Sequence, residues 1–338
     1  MKAFLLSFVV VLILLAVPPA LFADEPELEF VVTADRVLTD ITSTAAHVSI
    51  ITAEDIRRSG ATNVPELLSR RPGVSFTSFS HEAESQIDMR GFGEGSSSRV
   101  LVLIDGRKQN QPDLSEINWL SIPIDSIERI EVVRGGASAL YGNHAIGGVI
   151  NIITKTPERP LEVTAFGSFG SYLTNQERLG LQHAGERYRL RASGEHFSTD
   201  GYRDRSAYRA WNFSLAGEFD PTDNLTLSLG GRYANVFYEL PGRLTEDEFE
   251  DDPTQAQPGR DEDENTENQF GLDAGAQWRI GELADAELQL GYSLKRVESD
   301  FFTFTDTDLH RVTASPSVTL DWAAGRLPMR TRLGGDWS

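Results

Sequence analysis

The sequence predicts a small α+β domain followed by the antiparallel strands of a transmembrane β-barrel. Three observations predict it. Near Pro157 and Pro160 a region of short helix and strand signals gives way to long segments that alternate apolar and polar residues with a period of two. Those segments run to about 10 to 13 residues, whereas strands have a mode of roughly 5 to 6. Short connections (184–187, 220–224, 281–285, 323–328) alternate with long ones (170–176, 198–208, 239–266, 299–311), the turn-and-loop asymmetry of a membrane barrel. A soluble sandwich shares the period of two, so alternation alone leaves it open; segment length and loop asymmetry favour the membrane.

Taken in order, Met1 and Lys2 precede an apolar run from Ala3 to Val17, then Pro18, Pro19 and small residues ending near Ala23. This pattern predicts a secretory signal peptide over 1–23, because the apolar run is short for a membrane span. Residues 24–40 form an extended segment and 41–157 the compact domain. Within it, Thr52 and Asp55 make a capping-box-like start for a helix over 53–59, which Gly60 stops. A second helix is expected over about 64–69, ahead of Pro72 and Gly73. Val100 to Ile104 reads as a buried strand turned by Asp105 and Gly106, and Ile127 to Val133 as another, ending at Gly135 and Gly136.

Residues 158–338 hold the barrel segments. Trp211, Phe213, Leu215, Gly217 and Phe219 point one way, and Asn212, Ser214, Ala216 and Glu218 the other. The same period recurs in 225–237, 270–280, 288–294 and 312–322, with Pro316 a misfit inside the last.

Composition excludes several classes. With 31 Lys plus Arg against 51 Asp plus Glu, the formal net charge is -20, which opposes a nucleic-acid partner. There is no Cys, so thiolate metal sites, disulfides and a Cys nucleophile are excluded together. Gly91, Gly93 and Gly95 lack dinucleotide spacing, and Ser97 and Ser138 do not sit in a nucleophile elbow. The six His residues are scattered, without paired-ligand spacing. No catalytic constellation emerges, and the chain is expected to be no enzyme and to need no cofactor. Between Glu246 and Glu267 there are 11 acids and one Arg, a net of -10. Such a run reads either as a solvated loop or as a calcium-type site, with Asp251, Asp252, Asp261 and Asp263 as the candidate oxygen ligands.

An ordered series of segments then carries a resemblance. Glu29 to Ala34, Arg71 to Val74, Met89 to Phe92, Val100 to Gly106, Ile127 to Gly135, Ser138 to Gly142 and Ala145 to Lys155 closely resemble the TonB-dependent outer-membrane receptors. The similarity to cobalamin and ferric-siderophore importers is the greatest. In that family an N-terminal plug sits inside a C-terminal barrel. The resemblance implies that Glu29, Phe30, Val31, Val32, Thr33 and Ala34 are the TonB box. Such an extended segment suits strand addition to a partner's sheet edge.

The resemblance further implies that Arg90 and Arg134 lock the plug by pairing with barrel glutamates. Ligand-facing positions are expected at Ser78, Phe79, Ser80, His81, Glu94 and Ser96 of the plug loops, and at Tyr202 and Arg203 of an outer loop. Expected partners are the TonB energy-transducing complex, a small extracellular ligand and outer-membrane lipid. The short stretch from Ala23 to Glu29 leaves no room for a signalling domain, so transport is expected. A plugged barrel of this class has about 22 strands and the sequence supplies about nine, so a piece of a longer receptor is expected. A passive porin, an adhesion barrel and a non-functional remnant are the alternatives.

Overall fold

The computed structural model describes residues 31–32, 39–40, 47–78, 81, 84–93, 98–111, 116–260, 262–301, 303–324 and 327–338. The expected signal peptide lies outside them. The chain divides into two units, Met1–Ala45 and Ala46–Ser338. In the first, strands β1 (Val31–Val32) and β2 (Thr39–Asp40) pair antiparallel, Val31 with Asp40 and Val32 with Thr39. Of the expected TonB box, Val31 and Val32 are therefore in β1; Glu29, Phe30, Thr33 and Ala34 lie outside the described residues.

The second unit begins with the plug. Strand β3 (His47–Thr52) leads into helix α1 (Ala53–Ser59), and α2 (Val64–Ser69) follows. Thr52 and Asp55 form the expected capping box, and Gly60 closes the helix in the left-handed region at φ 65°. Asn63 caps α2 by accepting from the Glu66 amide. Strands β4 (Ser75–Thr77), β5 (Glu84–Asp88), β6 (Val100–Ile104), β7 (Arg107–Lys108) and β8 (Ile117–Asn118) precede β9 (Ile127–Arg134), the short helix α3 (Ser138–Tyr141) and β10 (Gly148–Thr154). The main plug sheet runs β3-β9-β10-β6-β7, with β10 parallel to β6 and antiparallel to β9.

One side of this sheet packs α1 and α2. Ile51, Leu67, Leu68, Val102, Trp119, Ile130, Ile150 and Ile152 share one buried cluster, which supplies the plug core. The Trp119 indole N–H donates to the Ser85 carbonyl at 2.9 Å, so its burial leaves no polar penalty.

After residues 155–161 nine strands follow in simple antiparallel order. They are β11 (Glu162–Phe169), β12 (Asn175–Ala184), β13 (Tyr188–Thr199), β14 (Tyr208–Thr222), β15 (Leu225–Glu239), β16 (Glu264–Ile280), β17 (Ala284–Phe301), β18 (Thr303–Ala324) and β19 (Leu327–Gly334). Helix α4 (Glu246–Asp251) lies in the connection between β15 and β16. The expected face assignment holds: Trp211, Phe213, Leu215 and Phe219 are exposed, while Asn212 is buried and Ser214 half-buried on the opposite face. This sheet turns apolar side chains outward and polar ones toward the plug, the polarity a lipid solvent demands.

Three expectations are corrected. The segment 299–311 is not a long loop: β17 runs to Phe301, β18 starts at Thr303, and the ladder continues to the pair Phe301 with Thr303. Asp306 and Asp308, which gave the segment a loop-like charge, lie on a solvated strand extension, where Arg296 holds Asp306 at 2.6 Å. The strands β14 to β18 are also longer than 10 to 13 residues, from 15 in β14 to 22 in β18, because their upper parts continue beyond the apolar band. Pro316 fits its strand. Its carbonyl faces Gly335, where the β19 ladder has broken, so its missing N–H falls on the irregular side.

Candidate functional site

The surface where the plug meets β12 to β18 is built by the inward register of the strands. At the end carrying the long connections, plug residue Leu120 packs among Phe197, Tyr208, Ala210 and Val236, with Tyr238 against them. The His81 ring joins this cluster, stacked on Tyr208 at 4.6 Å and tilted on Phe197 at 4.9 Å. Burial among these rings pushes the His81 imidazole down to about 4 from its usual 6.5, so it is neutral at ordinary pH. Ser78 donates to the His81 carbonyl and ties the plug loop together.

One step inward along the same strands the lining turns polar. A cavity of about 50 Å³ separates plug residues such as Gln109, Asn118 and Ser121 from wall residues such as Ser193, Asn212 and Ser214. A side-chain bond crosses it from the Asn118 amide to the Asn212 oxygen at 2.9 Å. The Asn118 oxygen and the Asn212 amide nitrogen are buried without protein partners, and a buried polar pair of this kind calls for bridging water.

Beside the cavity the wall grips the plug. Arg178 of β12, almost fully buried, reaches Asp125 of the plug at 2.9 Å and the Thr62 carbonyl at 3.3 Å. It lies 3.8 Å from Glu195 of β13 and covers the Phe166 ring at 4.7 Å. Gln176 donates to Glu195 at 2.7 Å. On β13, Arg191 donates to the Thr154 hydroxyl, and to the Lys155 carbonyl at 3.0 Å. On the far side of the cavity, Lys295 and Glu267 form a buried pair at 2.9 Å within the wall, and Arg311 of β18 donates to the Asn110 carbonyl at 2.7 Å. Lys108 Nζ lies 2.9 Å from His144 Nδ1. Burial, with Arg311 nearby, lowers the Lys108 ammonium, and Asp336 opposes that shift; burial first and Lys108 second lower the His144 imidazole.

The expected site residues divide. Ser78 and His81 lie at the plug–wall contact described above, whereas Phe79, Ser80, Glu94 and Ser96 lie outside the described residues. Tyr202 is exposed and meets Tyr172 edge-on at 5.7 Å. Arg203 turns inward: its guanidinium donates to the carbonyls of Pro241, Gly242 and Gln255, at 3.1, 2.7 and 2.9 Å. It therefore clasps two connections together, and its donors point into the loops. Arg90 is exposed, with left-handed backbone at φ 76°, and Arg134 bonds to Ser49 and the Pro72 carbonyl inside the plug. Among the described residues neither has a carboxylate at ion-pair distance, so both lie away from the nine strands' acidic groups.

Of the candidate cation ligands, Asp251 ends α4, Asp252 accepts from the Thr254 amide and hydroxyl, and Asp263 pairs with Arg260 at 2.6 Å. Asp261 lies outside the described residues. Among the described residues no group of three or more metal-capable side chains converges. The sequence reading missed Arg178, Asp125, Leu120 and Asn212 as interface residues. The signal was present, since Gln176 and Arg178 share the inward register of β12 with Glu195 opposite on β13.

Known proteins agree with this architecture. Residues 40–149 match the TonB-dependent Receptor Plug Domain. The chain is 40% identical over 148 residues to the Vitamin B12 transporter BtuB of Vibrio cholerae serotype O1, an alignment covering 44% of this chain and 24% of that protein. Its structure superposes on the ferric citrate transporter FecA with a TM-score of 0.77 at 21% identity, covering 89% of this chain and 48% of that one. The siderophore receptor PirA from Pseudomonas aeruginosa gives a TM-score of 0.66 at 25% identity, covering 87% and 48%. The chain thus spans about half the length of the solved receptors it matches. These relatives are receptors and transporters, and none is an enzyme by its name. Residues 40–149 thus match the plug domain of TonB-dependent receptors, and the chain that carries them has the fold of about half of such a plugged-barrel receptor.

Proposed function

We propose that this chain is the plug and part of the barrel of an energy-coupled importer, which takes up a scarce ligand of the cobalamin or ferric-siderophore class. The observation that carries the reading is the plug seated against strands whose outer face is apolar and whose inner face is polar. A passive pore has no use for a folded domain clamped to its wall. Energy coupling is supported by the segment 29–34, whose β-prone sequence ahead of the plug suits strand addition to a TonB-type partner. Within the ligand class, the net charge of -10 across 246–267 disfavours polyanionic ferric chelates, which such a field repels. A neutral, amide-rich ligand of the cobalamin kind suffers no such repulsion, and the likeness to a vitamin B12 transporter supports the same choice.

The test is uptake by cells producing the protein, with and without residues 29–34, using labelled cyanocobalamin and an anionic ferric catecholate. Cobalamin uptake abolished by the deletion is the expected outcome. Uptake that survives the deletion identifies a passive barrel, and no uptake in either form identifies a remnant.

A further inference from the structure

Where β13 and β14 face the plug, orphaned polar atoms gather in one place. Glu195 and Asn212 are register partners on the inward face, and Ser193 and Ser214 are the next inward pair along the same two strands. From the other side the plug brings Asn118, whose amide donates to the Asn212 oxygen at 2.9 Å. These side chains line the cavity together. Glu195, Asn118 and Asn212 are each more than nine-tenths buried. Among the described residues the Asn118 oxygen, the Asn212 amide nitrogen and Glu195 Oε2 have no hydrogen-bond partner.

Water can serve the two amides, but it does not balance the carboxylate. Gln176 donates to Glu195 Oε1 at 2.7 Å and brings no charge. Arg178 brings one, but its Nη1 donates to the Thr62 carbonyl and stays 3.8 Å from Oε2, while its Nε stands 2.9 Å from Asp125. One guanidinium is therefore shared by two carboxylates and lies closer to the other. The lysine and arginine that line the cavity have carboxylates of their own, Glu267 at 2.9 Å from Lys295 and Asp273 at 3.0 Å from Arg232. Lys295 also lies four strands from Glu195 along the same rung, on the order of 15 Å at the usual strand spacing. An ionised carboxylate buried this deeply needs a positive charge beside it, or the cost of taking it out of water is not recovered.

The oxygens gathered here are those a hard cation takes. Glu195 Oε2, the Asn212 oxygen and the Ser193 and Ser214 hydroxyls share a patch of about 5 by 7 Å, one strand spacing by one two-residue step. The two hydroxyls, 2.7 Å apart, bond to each other and keep lone pairs to spare. The Asn118 oxygen reaches the patch from the plug. Only one of these ligands is charged, and among the described residues no group of three or more metal-capable side chains converges. That charge count matches a monovalent ion and leaves a divalent one unneutralised.

We infer that an alkali-metal cation, sodium or potassium, binds with water between Glu195 and Asn212 of the wall and Asn118 of the plug. It neutralises Glu195 and joins the two sides of the interface through ligands from both. The cavity, about 50 Å³ against the roughly 10–15 Å³ that one water needs, lets the ion keep part of its hydration. The site is a property of the folded interface and requires nothing of the importer reading.

The test is thermal unfolding of the purified full chain in lipid, at equal ionic strength in sodium, potassium or choline chloride. Saturating sodium or potassium should raise the midpoint by about 2 to 4 °C over choline, which is too large for the ligand set. Glu195→Gln keeps the shape, removes the charge and should abolish the difference. Asp252→Asn, in the acidic connection, should leave it in place. Equal midpoints in all three salts overturn the site, as does a difference that survives Glu195→Gln or is lost with Asp252→Asn. A midpoint that follows pH and neither alkali ion means that Glu195 carries a proton instead, and overturns it too. If Glu195→Gln does not fold, crystals of the unaltered chain grown with rubidium or thallium(I) decide the matter. An anomalous peak between Glu195 and Asn118 supports the site, and water alone at that position overturns it.

Discussion

At Gly148 a single methyl group is enough to disturb the plug. A Cβ there would stand 2.6 Å from the Val133 carbonyl oxygen and 2.7 Å from the Met89 methyl. The carbonyl belongs to the β9–β10 ladder and cannot step aside, so Gly148→Ala should cost about 1 to 3 kcal/mol of plug stability. Gly136→Ala meets only the Ile146 carbonyl at 3.8 Å and should cost little; urea unfolding of the two variants checks the contrast.

His81 gives a pH prediction at the same scale. Its value of about 4 when seated lies below the ordinary 6.5, so between those limits only the released loop takes up the proton. The seated state therefore weakens as pH falls from 6.5 towards 4, by about 1.4 kcal/mol per unit at most. Phe197 and Tyr208, the rings packed on it, carry no charge over that interval. A nitroxide on Ser78→Cys should become more mobile over that interval, and His81→Phe should remove the change.

Among the elements, the connections behave differently from what their composition suggests. Arg203 ties the 200–207 connection to 240–263 through three carbonyls, bonds of the charge-assisted kind. Arg203→Ala should release the longer connection and expose it to added protease while the strands stay protected; unchanged cleavage would mean that α4 and its capping box hold the connection alone. Regular elements were legible in the sequence because local rules fix them: the Thr52 and Asp55 cap, the Gly60 stop and the inward–outward alternation of β14 all appear where local chemistry places them. The 299–311 extension was not, since Asp306 is held in a strand by Arg296 on the neighbouring one, a partner that no local rule announces. Likewise the donors of Arg203 could serve a ligand or a carbonyl, and only the fold brings Pro241 and Gln255 within reach. The interface was half legible: register puts Gln176, Arg178 and Glu195 on one face, but nothing local to Asp125 or Leu120 announces a partner far along the chain.

For the molecule as a whole, the outward apolar face is the strongest mark of its solvent. Leu215 and Leu229 stand exposed on it, and an arginine at either should cost about 2 to 4 kcal/mol near the bilayer centre. Thr305→Arg, on the solvated extension of β18, should cost almost nothing. Folded yield in lipid for the three variants tests whether this face meets hydrocarbon. The joint between plug and sheet sets a limit of another kind. Only 155–161 separates β10 from β11, a leash of roughly 25 Å if pulled straight. Arg191 shortens it further by holding Lys155 at the near end. The tethered end of the plug therefore cannot be drawn farther than that radius from the foot of β11, and a pull on the opposite terminus must act by unravelling or tilting the plug about this joint.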